Sequence, residues 1–512
     1  MKVYEALAHT FKKLDLGTCF ALLGDANMHW AGALSDLGAE FVYTRHEHAA
    51  LAAATAYARN SGKIGLASVT CGPGLTQIIT MLPIAVRAKV PVVLFAGEPP
   101  KRQAWYNQTI DQASLVKTCG ADYVPLHNIK TIVEELLASV ERAIKDGRPV
   151  VIGVPLDLQK EEFSGNLPDI NPKFYIRPLP VLQPDATVIR QLGQIISKFK
   201  KSVIIAGLGA CSEPAQVLIR KLAEITGSLL ATTLPAKGLF NDQEFCLGVA
   251  GGYSSDRAKK IFEEAELVIG IGARMSYHTF DAGRLTPRAI RVQIDLEPRT
   301  HVEGRRSADF LIKADAESAL KALITHLVKK PQKSWRSDAM KAVIRKANQL
   351  PPHKIKVNGF LHPLAVIDTL QNCIPKFCHI INTSGHCAYY TAQMNLHPQS
   401  HFTVIRDFGA IGNGTSFAIG IAKLYPDRPV VLLDGDGSVM MHIQELETIS
   451  RHDLNILILV LNDGAYGSEV HKLRKTGSSL KGSIFGRPDF NAIGKSFGLN
   501  GTTAKTTGDI EN

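Results

Sequence analysis

Two acidic turns toward the end of the chain carry the most chemistry. Val431-Leu432-Leu433-Asp434 runs into Gly435-Asp436-Gly437-Ser438, and Leu457-Ile458-Leu459-Val460-Leu461 runs into Asn462-Asp463-Gly464. At the first turn the glycines let the backbone approach a ligand closely, and Asp436 offers a hard oxygen. A helix-like stretch, Met440 to Ser450, follows, and free N–H groups at a helix start suit an anion. Asp463 brings a second carboxylate 27 positions after Asp436, about the length of one strand–helix–strand unit. Such a pair fits Mg²⁺ and a diphosphate. Two ordinary acidic turns at strand ends would look the same, so on the turns alone both readings stay open.

Four other turns carry groups that could work with them. Tyr43-Thr44-Arg45-His46-Glu47-His48 ends a strand and opens an alanine-rich helix. Glu47 is either a proton-exchanging carboxyl or an acidic first-turn residue that complements the helix dipole. Gly24-Asp25-Ala26-Asn27 follows the first strand, where α/β sheets place ligands, though Asp and Asn are also good helix caps. Val69-Thr70-Cys71-Gly72-Pro73-Gly74 and Gly409-Ala410-Ile411-Gly412-Asn413-Gly414 are glycine-rich loops of a common kind. His29, His386 and His471 lie near these turns, but a lone histidine is more often a structural hydrogen-bonder.

The elements that must position these turns read as alternating strands and helices. In residues 1–165 the strand candidates are Cys19–Leu23, Glu40–Thr44, Gly65–Val69, Val92–Phe95 and Val150–Val154, with helices such as His48–Asn60 and Leu75–Ala88 between them. Residues 184–330 repeat the pattern with Ser202–Ala206, Ser228–Thr232, Leu267–Ile271 and Arg291–Ile294. Residues 358–512 add Cys378–Asn382, Val430–Leu433 and Ile456–Leu461. Such alternation predicts an α/β chain of three consecutive doubly wound parallel-sheet domains. Glu161–Pro184 and Gln332–Val357 read as connections.

Gly-Asp-Gly-Ser followed at this spacing by a strand ending in Asn462-Asp463 resembles the cofactor motif of the thiamine diphosphate (ThDP) enzymes, which include acetolactate synthase, benzoylformate decarboxylase and pyruvate decarboxylase. The resemblance covers nearly the whole chain and implies pyrimidine-binding, central and diphosphate-binding domains. It implies Mg²⁺ ligands at Asp436, at Asp463 (usually asparagine in the family) and at the carbonyl of Ala465. It places Gly435, Gly437 and Ser438 around the diphosphate, and Gly72, Gly409 and Ile411 around the rest of the cofactor; His386, in Thr383-Ser384-Gly385-His386 after a strand, could touch the diphosphate by its position. Glu47 matches the glutamate that bonds the pyrimidine nitrogen; that bond promotes loss of the thiazolium C2 proton, and a carboxyl shielded from water has the raised pKa this exchange needs. Asp25 and Glu469 match acids that handle protons at the substrate, although each also reads as an ordinary cap or surface residue. Cys71 is expected to pack beside the cofactor rather than act as a nucleophile. Thr415-Ser416 departs from the family's usual Leu-Pro, and the family usually continues for a strand and a helix beyond the point matching Gly498-Leu499.

Composition narrows the classes. The 512 residues are 45% hydrophobic and 21% charged, ordinary for a globular protein. No uninterrupted apolar stretch is long enough for a membrane span, and Met1–Leu16 reads as an amphipathic helix without a signal-peptide core. Eight scattered cysteines without a CxxC pair fit a reducing cytoplasm. The net charge of +11 is spread out and not interleaved with aromatics, so nucleic acid is not expected; an anionic cofactor and substrate account for part of it.

The resulting expectation is a ThDP- and Mg²⁺-dependent enzyme acting on small 2-oxo acids, by decarboxylation and then acyl carboligation as in acetolactate synthase. The alternative is a simple 2-oxo acid decarboxylase that releases an aldehyde. The resemblance also implies a homodimer or homotetramer with active sites at subunit interfaces, Glu47 of one subunit meeting the metal domain of another. The central unit holds Gly207-Leu208-Gly209 and Gly270-Ile271-Gly272-Ala273-Arg274; acetolactate synthases bind FAD in this domain, but Met275-Ser276-Tyr277-His278 replaces the associated pattern, so FAD is not favoured. Two rivals are a nucleotide-dependent oxidoreductase working through that unit and a ThDP-fold protein that binds without turnover.

Overall fold

The structure is a computed structural model that describes residues 1–327, 334–395 and 397–512. It divides into two compact units, one of Met1–Leu179, Cys378–Ala388 and Ile405–Thr503, the other of Pro180–Phe377, Tyr389–Val404 and Ala504–Asn512. The first and last stretches of sequence therefore build one body.

In that body, six parallel strands run in the spatial order Phe41–Tyr43, Cys19–Ala21, Gly65–Val69, Val92–Glu98, Val150–Pro155, Asp122–Pro125. The order reverses between Cys19–Ala21 and Gly65–Val69. The turns after those strands, Gly24–Asn27 and Thr70–Gly74, thus lie at a topological switch point, where such sheets hold ligands. They touch: Ala26 N–H donates to Thr70 Oγ1 at 3.3 Å. A second parallel array pairs His379–Asn382 with Val430–Gly435 and that strand with Ile456–Leu461. Both acidic turns leave the carboxyl ends of its neighbouring strands.

The two arrays share a core. Helix Glu47–Ser61 is alanine-rich and buried along eleven consecutive residues, His48 to Ala58. It packs on Gly414–Leu424, whose residues Gly414 to Ala422 are all buried. The contact is backbone to backbone: a Cβ on Gly420 would lie 2.1 Å from the Ala53 carbonyl oxygen. Gly420→Ala is therefore expected to force the helices apart and cost roughly 1–3 kcal/mol, read as a lower midpoint in chemical denaturation; an unchanged midpoint would contradict this packing.

The other unit holds a second six-stranded parallel sheet, ordered Phe310–Lys313, Ile290–Asp295, Leu267–Ile271, Ser202–Ala206, Leu229–Thr232, Cys246–Val249. Helices cover it, and the α/β class is as expected.

Several element bounds need correction. In the two six-stranded sheets, three strands had no sequence expectation, Asp122–Pro125, Cys246–Val249 and Phe310–Lys313. All three are sheet edges, where the continuous apolar run of a central parallel strand is lost. The expected helix Leu75–Ala88 is two helices, Pro73–Thr76 and Met81–Ala88. Pro83 cannot donate to a preceding turn, so it sits in the first turn of a new helix. The expected helix Met440–Ser450 is likewise two, Asp436–Met441 and Glu445–Arg451, so helix begins at the acidic turn itself. It breaks at His442, which has φ −132° and whose side chain bonds the Gly412 carbonyl. The expected connection Gln332–Val357 contains a helix, Asp338–Ala347, capped by Ser337; Gln332 and Lys333 lie outside the described residues. The linker Glu161–Pro184 holds one helical turn, Pro172–Tyr175. Among the described residues no helix is long and apolar enough to cross a membrane.

Candidate active site

The strand Val430–Gly435 is buried and ends where its backbone must turn, delivering Asp434, Asp436 and Ser438 to one place. Asp434 is fully buried. Its oxygens accept from Thr383 Oγ1 at 2.8 Å and Ser438 Oγ at 2.7 Å, and burial pushes its carboxyl up to about 6. It is a structural anchor. Ser438 Oγ also accepts from Gly412 N–H at 2.9 Å, tying this turn to the Gly409–Gly414 loop.

Asp436 accepts from Gly437 N–H at 2.7 Å and, across the sheet, from Gly464 N–H at 2.6 Å. The second bond locks the two acidic turns together. Burial raises the Asp436 carboxyl and the charge of Asp463 adds to it, while the two N–H bonds pull the other way. Asp463 is also raised, by desolvation first. Two desolvated carboxyls, one of them raised further by the charge of the other, are a site short of positive charge. Asn462 Oδ1 nearby is buried and has no hydrogen-bond partner among the described residues. These features fit a divalent cation held by Asp436, Asp463 and the Ala465 carbonyl. Among the described residues no cluster of three or more His, Cys, Asp or Glu side chains is arranged for a metal, so a backbone or ligand oxygen has to complete the set.

Asp463, Gly464 and Ala465 line a cavity of about 380 Å³ together with His386, His471, Arg474 and Arg487. Its cationic side chains suit an anion. His386 and His471 face edge to face at 4.8 Å, and burial lowers the pKa of His386.

Glu47 begins its helix half-buried, and desolvation raises its carboxyl above the ordinary range. Its Oε1 lies 3.5 Å from where a Cβ of Gly74 would stand. Gly72 has φ +56°, its N–H donates to Gln112 Oε1 at 2.8 Å, and a Cβ there would sit 2.3 Å from the Gln108 carbonyl oxygen. Only glycine fits. Cys71 is buried, its thiol donating to Gln108 Oε1 at 3.2 Å and held protonated by desolvation. Gly409 has φ +76° with open space around it, and Ile411 reaches toward Gly385, 3.7 Å from its Cβ position.

The two remaining acids are placed differently. Asp25 is exposed and close enough to Cys71 and Tyr106 to perturb both. Glu469 is exposed, ion-paired with Lys472 at 3.3 Å, and outside the residues lining the cavity. Its surroundings are those of a solvated helix face.

The turn that precedes the Glu47 helix is bonded to the helix Glu445–Arg451 and to His452 of the same chain. Within one chain, Arg45 N–H donates to Glu445 and the Arg45 guanidinium pairs with Glu447 at 2.6 Å. Tyr43 N–H donates to His452 Nε2 at 3.1 Å. These contacts were not legible in sequence, since their partners lie about four hundred positions apart.

Glu445 is fully buried, and burial raises its carboxyl to about 7. The folded state therefore holds this proton up to about pH 7, while the unfolded chain releases it near 4.3. Stability from this group is intact below the unfolded value and falls as pH rises to about 7, by roughly 3 kcal/mol in all. Glu445→Gln is expected to flatten that decline, and its melting temperature relative to wild type should be higher at pH 8 than at pH 5. Equal differences at both pH values would refute the assignment.

In the other unit, Gly209 N–H donates to the Gly272 carbonyl at 3.0 Å and Gly207 N–H to Ile271 at 2.9 Å. A Cβ on Gly207 would lie 2.2 Å from the Gly272 oxygen. Close approach of two loops accounts for these glycines without a dinucleotide.

Comparison with known proteins bears on all of this. Residues 1–115 match the thiamine pyrophosphate enzyme N-terminal TPP binding domain, residues 189–323 the central domain and residues 383–512 the C-terminal TPP binding domain. The chain is 29% identical to the acetolactate synthase large subunit of Buchnera aphidicola subsp. Schizaphis graminum, over 93% of this chain and 84% of that one. It is 27% identical to the acetolactate synthase isozyme 2 large subunit of Escherichia coli, over 97% and 89%. With the chloroplastic acetolactate synthase 2 of Nicotiana tabacum it shares 30% identity, over 91% of this chain and 71% of the relative.

Proposed function

Since the chain belongs to the thiamine pyrophosphate enzyme family, we propose that it is a ThDP- and Mg²⁺-dependent carboligase of the acetolactate synthase type, joining the acyl group left by decarboxylation of one 2-oxo acid to a second carbonyl compound. When bound, ThDP supplies a nucleophilic carbon and an electron sink. The chain's own residues hold and tune it. Asp436, Asp463 and the Ala465 carbonyl hold Mg²⁺. Gly435, Gly437, Ser438 and His386 surround the diphosphate. Gly72, Gly409 and Ile411 shape the remaining contacts, and Glu47 exchanges a proton with the pyrimidine. Asp25 handles protons at the substrate, from the mouth of the switch-point turns; Glu469 is kept as the second such acid by its motif position alone, its charge reaching His386 of the cavity. The segments 1–165, 184–330 and 358–512 are taken as its three domains, with FAD not favoured in the second. A homodimer or homotetramer in the cytoplasm completes the reading, without nucleic acid or membrane partners.

The observation that carries this is the meeting of the two acidic turns, where Gly464 N–H, next to Asp463, donates to Asp436 and the charge of Asp463 raises the Asp436 carboxyl. One specific placement favours the second reading, a simple decarboxylase: Asp25 sits exposed beside Cys71 and Tyr106, where a proton donor would release an aldehyde. A screen of pyruvate, branched and aromatic 2-oxo acids with ThDP and Mg²⁺, reading CO₂ and ligated products, decides. Ligated product supports the carboligase, aldehyde alone supports the decarboxylase, and no CO₂ from any acid overturns both.

A further inference from the structure

A short strap, residues 483–488, runs antiparallel to the second acidic turn and is laced to it by hydrogen bonds. Tyr466 N–H donates to the Ser483 carbonyl at 2.9 Å, and Phe485 N–H donates to the Gly464 carbonyl at 2.9 Å. Gly486 N–H reaches the same Gly464 carbonyl at 3.3 Å. Further along, Asn462 Nδ2 donates to the Pro488 carbonyl at 2.9 Å and Arg487 Nε to the Asn462 carbonyl at 3.2 Å. The Tyr466 and Phe485 rings meet edge to face at 5.0 Å, but both are exposed, so the seam is held mainly by its backbone.

These bonds fall on the neighbours of Ala465 and leave Ala465 itself unpaired with the strap. Ala465 and Ile484 face each other as an antiparallel pair, flanked by the Tyr466–Ser483 and Phe485–Gly464 bonds. The Ala465 carbonyl shares a planar trans peptide with the Tyr466 N–H. That N–H points at Ser483, so the carbonyl points the opposite way, off the strap. The Ala465 N–H leaves on the same side and donates to Asp463 Oδ1 at 3.3 Å, so this edge of Ala465 faces the Asp463 carboxyl. No hydrogen bond from a described residue reaches the Ala465 carbonyl. Gly464 is tied on both sides, its N–H to Asp436 at 2.6 Å and its carbonyl to the strap. A carboxylate can swing to meet a cation. A main-chain oxygen goes only where its peptide plane is held, and Mg²⁺ demands near-octahedral geometry.

We propose that the strap is a positioning element for the metal: its pairing with Gly464 and Tyr466 fixes the Ala465–Tyr466 peptide plane and so aims the Ala465 carbonyl at the cation held by Asp436 and Asp463. This rests on the ThDP and Mg²⁺ reading above. Every residue involved lies within 383–512, the stretch that matches the C-terminal TPP binding domain, so the arrangement is the same whichever subunit supplies Glu47.

The test reads, by titration calorimetry on the full chain, the Mg²⁺ and the Ca²⁺ concentrations at which ThDP binds, beside the melting temperature of the cofactor-free protein. Phe485→Pro deletes the N–H that bonds Gly464. Ile484 before it is already extended, with φ −117° and ψ 122°, as a residue preceding proline prefers. Phe485→Ala deletes the ring and keeps the N–H. Phe485→Pro is expected to raise the Mg²⁺ requirement about tenfold or more. Its Ca²⁺ requirement is expected to rise far less, because Ca²⁺ accepts irregular sets of oxygens. Phe485→Ala is expected to stay close to wild type with both ions. A Mg²⁺ requirement unchanged in Phe485→Pro overturns the proposal. So do equal losses in the Pro and Ala variants, which mark a role for the ring, and a loss shared by both ions in step with a lower melting temperature, which marks general loosening. The unaltered protein supplies a second measurement. Hydrogen exchange at the Tyr466 and Phe485 amides is expected to slow about fivefold or more when Mg²⁺ is added with ThDP, because a cation that needs the paired strap stabilises that pairing in return. Exchange that does not slow overturns the proposal as well. Wild-type protein that takes up no ThDP with either cation overturns the underlying ThDP reading instead.

Discussion

Glu47→Gln is expected to cut CO₂ release from the 2-oxo acid substrate about 10²- to 10⁴-fold, while the protein still folds and takes up ThDP. Glu47 is half-buried at the start of its helix, and desolvation raises its carboxyl above the ordinary range. That places its proton affinity closer to the working pH, where exchange with a nitrogen base is fastest. A glutamine fills the same volume and can still hydrogen-bond, but it has no proton to exchange. The direct measurement is deuterium uptake at C2 of the bound cofactor by NMR after acid quench, alongside turnover. Turnover within tenfold of wild type, with exchange unaltered, would remove Glu47 from the chemistry.

Asp436→Asn is expected to raise the Mg²⁺ concentration needed for ThDP binding on the order of a hundredfold. The substitution removes one of two carboxyls that burial raises above their ordinary range. It also exchanges an acceptor of two backbone N–H bonds, from Gly437 and Gly464, for an amide that can accept through only one oxygen. Asp463→Asn keeps an oxygen at the second position and should cost less. Because both carboxyls sit above their ordinary range, cation uptake displaces protons. Affinity should therefore weaken as pH falls into the raised carboxyl range, and proton release should appear in calorimetry as a dependence on buffer ionisation enthalpy. A Mg²⁺ requirement unaltered in Asp436→Asn would sink the metal assignment.

What could be read from sequence was whatever is local. Central parallel strands are unbroken apolar runs, and glycine with aspartate marks where they end, so Val430–Gly435, Ile456–Leu461 and their turns stood out. Glu47 was visible because a strand, a charged turn and an alanine-rich helix follow one another within a few residues. The edge strand Asp122–Pro125 hid because only one of its four residues, Tyr123, is buried. The helix break at His442 hid because its cause is a carbonyl thirty positions away, on Gly412. Glu469 matched a motif position, yet Lys472, one helical turn on, pairs with it at the surface. The contact of His46 and His48 with His442 was illegible for the same reason: the first two flank Glu47, but His442 comes almost four hundred positions later.

The long-range seam between Glu47–Ser61 and Gly414–Leu424 bears on how the molecule is made. During synthesis the earlier helix can rest one face on the amino-terminal sheet, but the face that meets the later helix stays uncovered until that helix emerges. The nascent amino-terminal half must wait, sticky and incomplete, through most of translation. Closing so large a loop is slow, and the waiting interval is when aggregation competes. Expression yield should thus depend on holdase chaperones and on temperature more steeply than the stability of the finished protein would suggest.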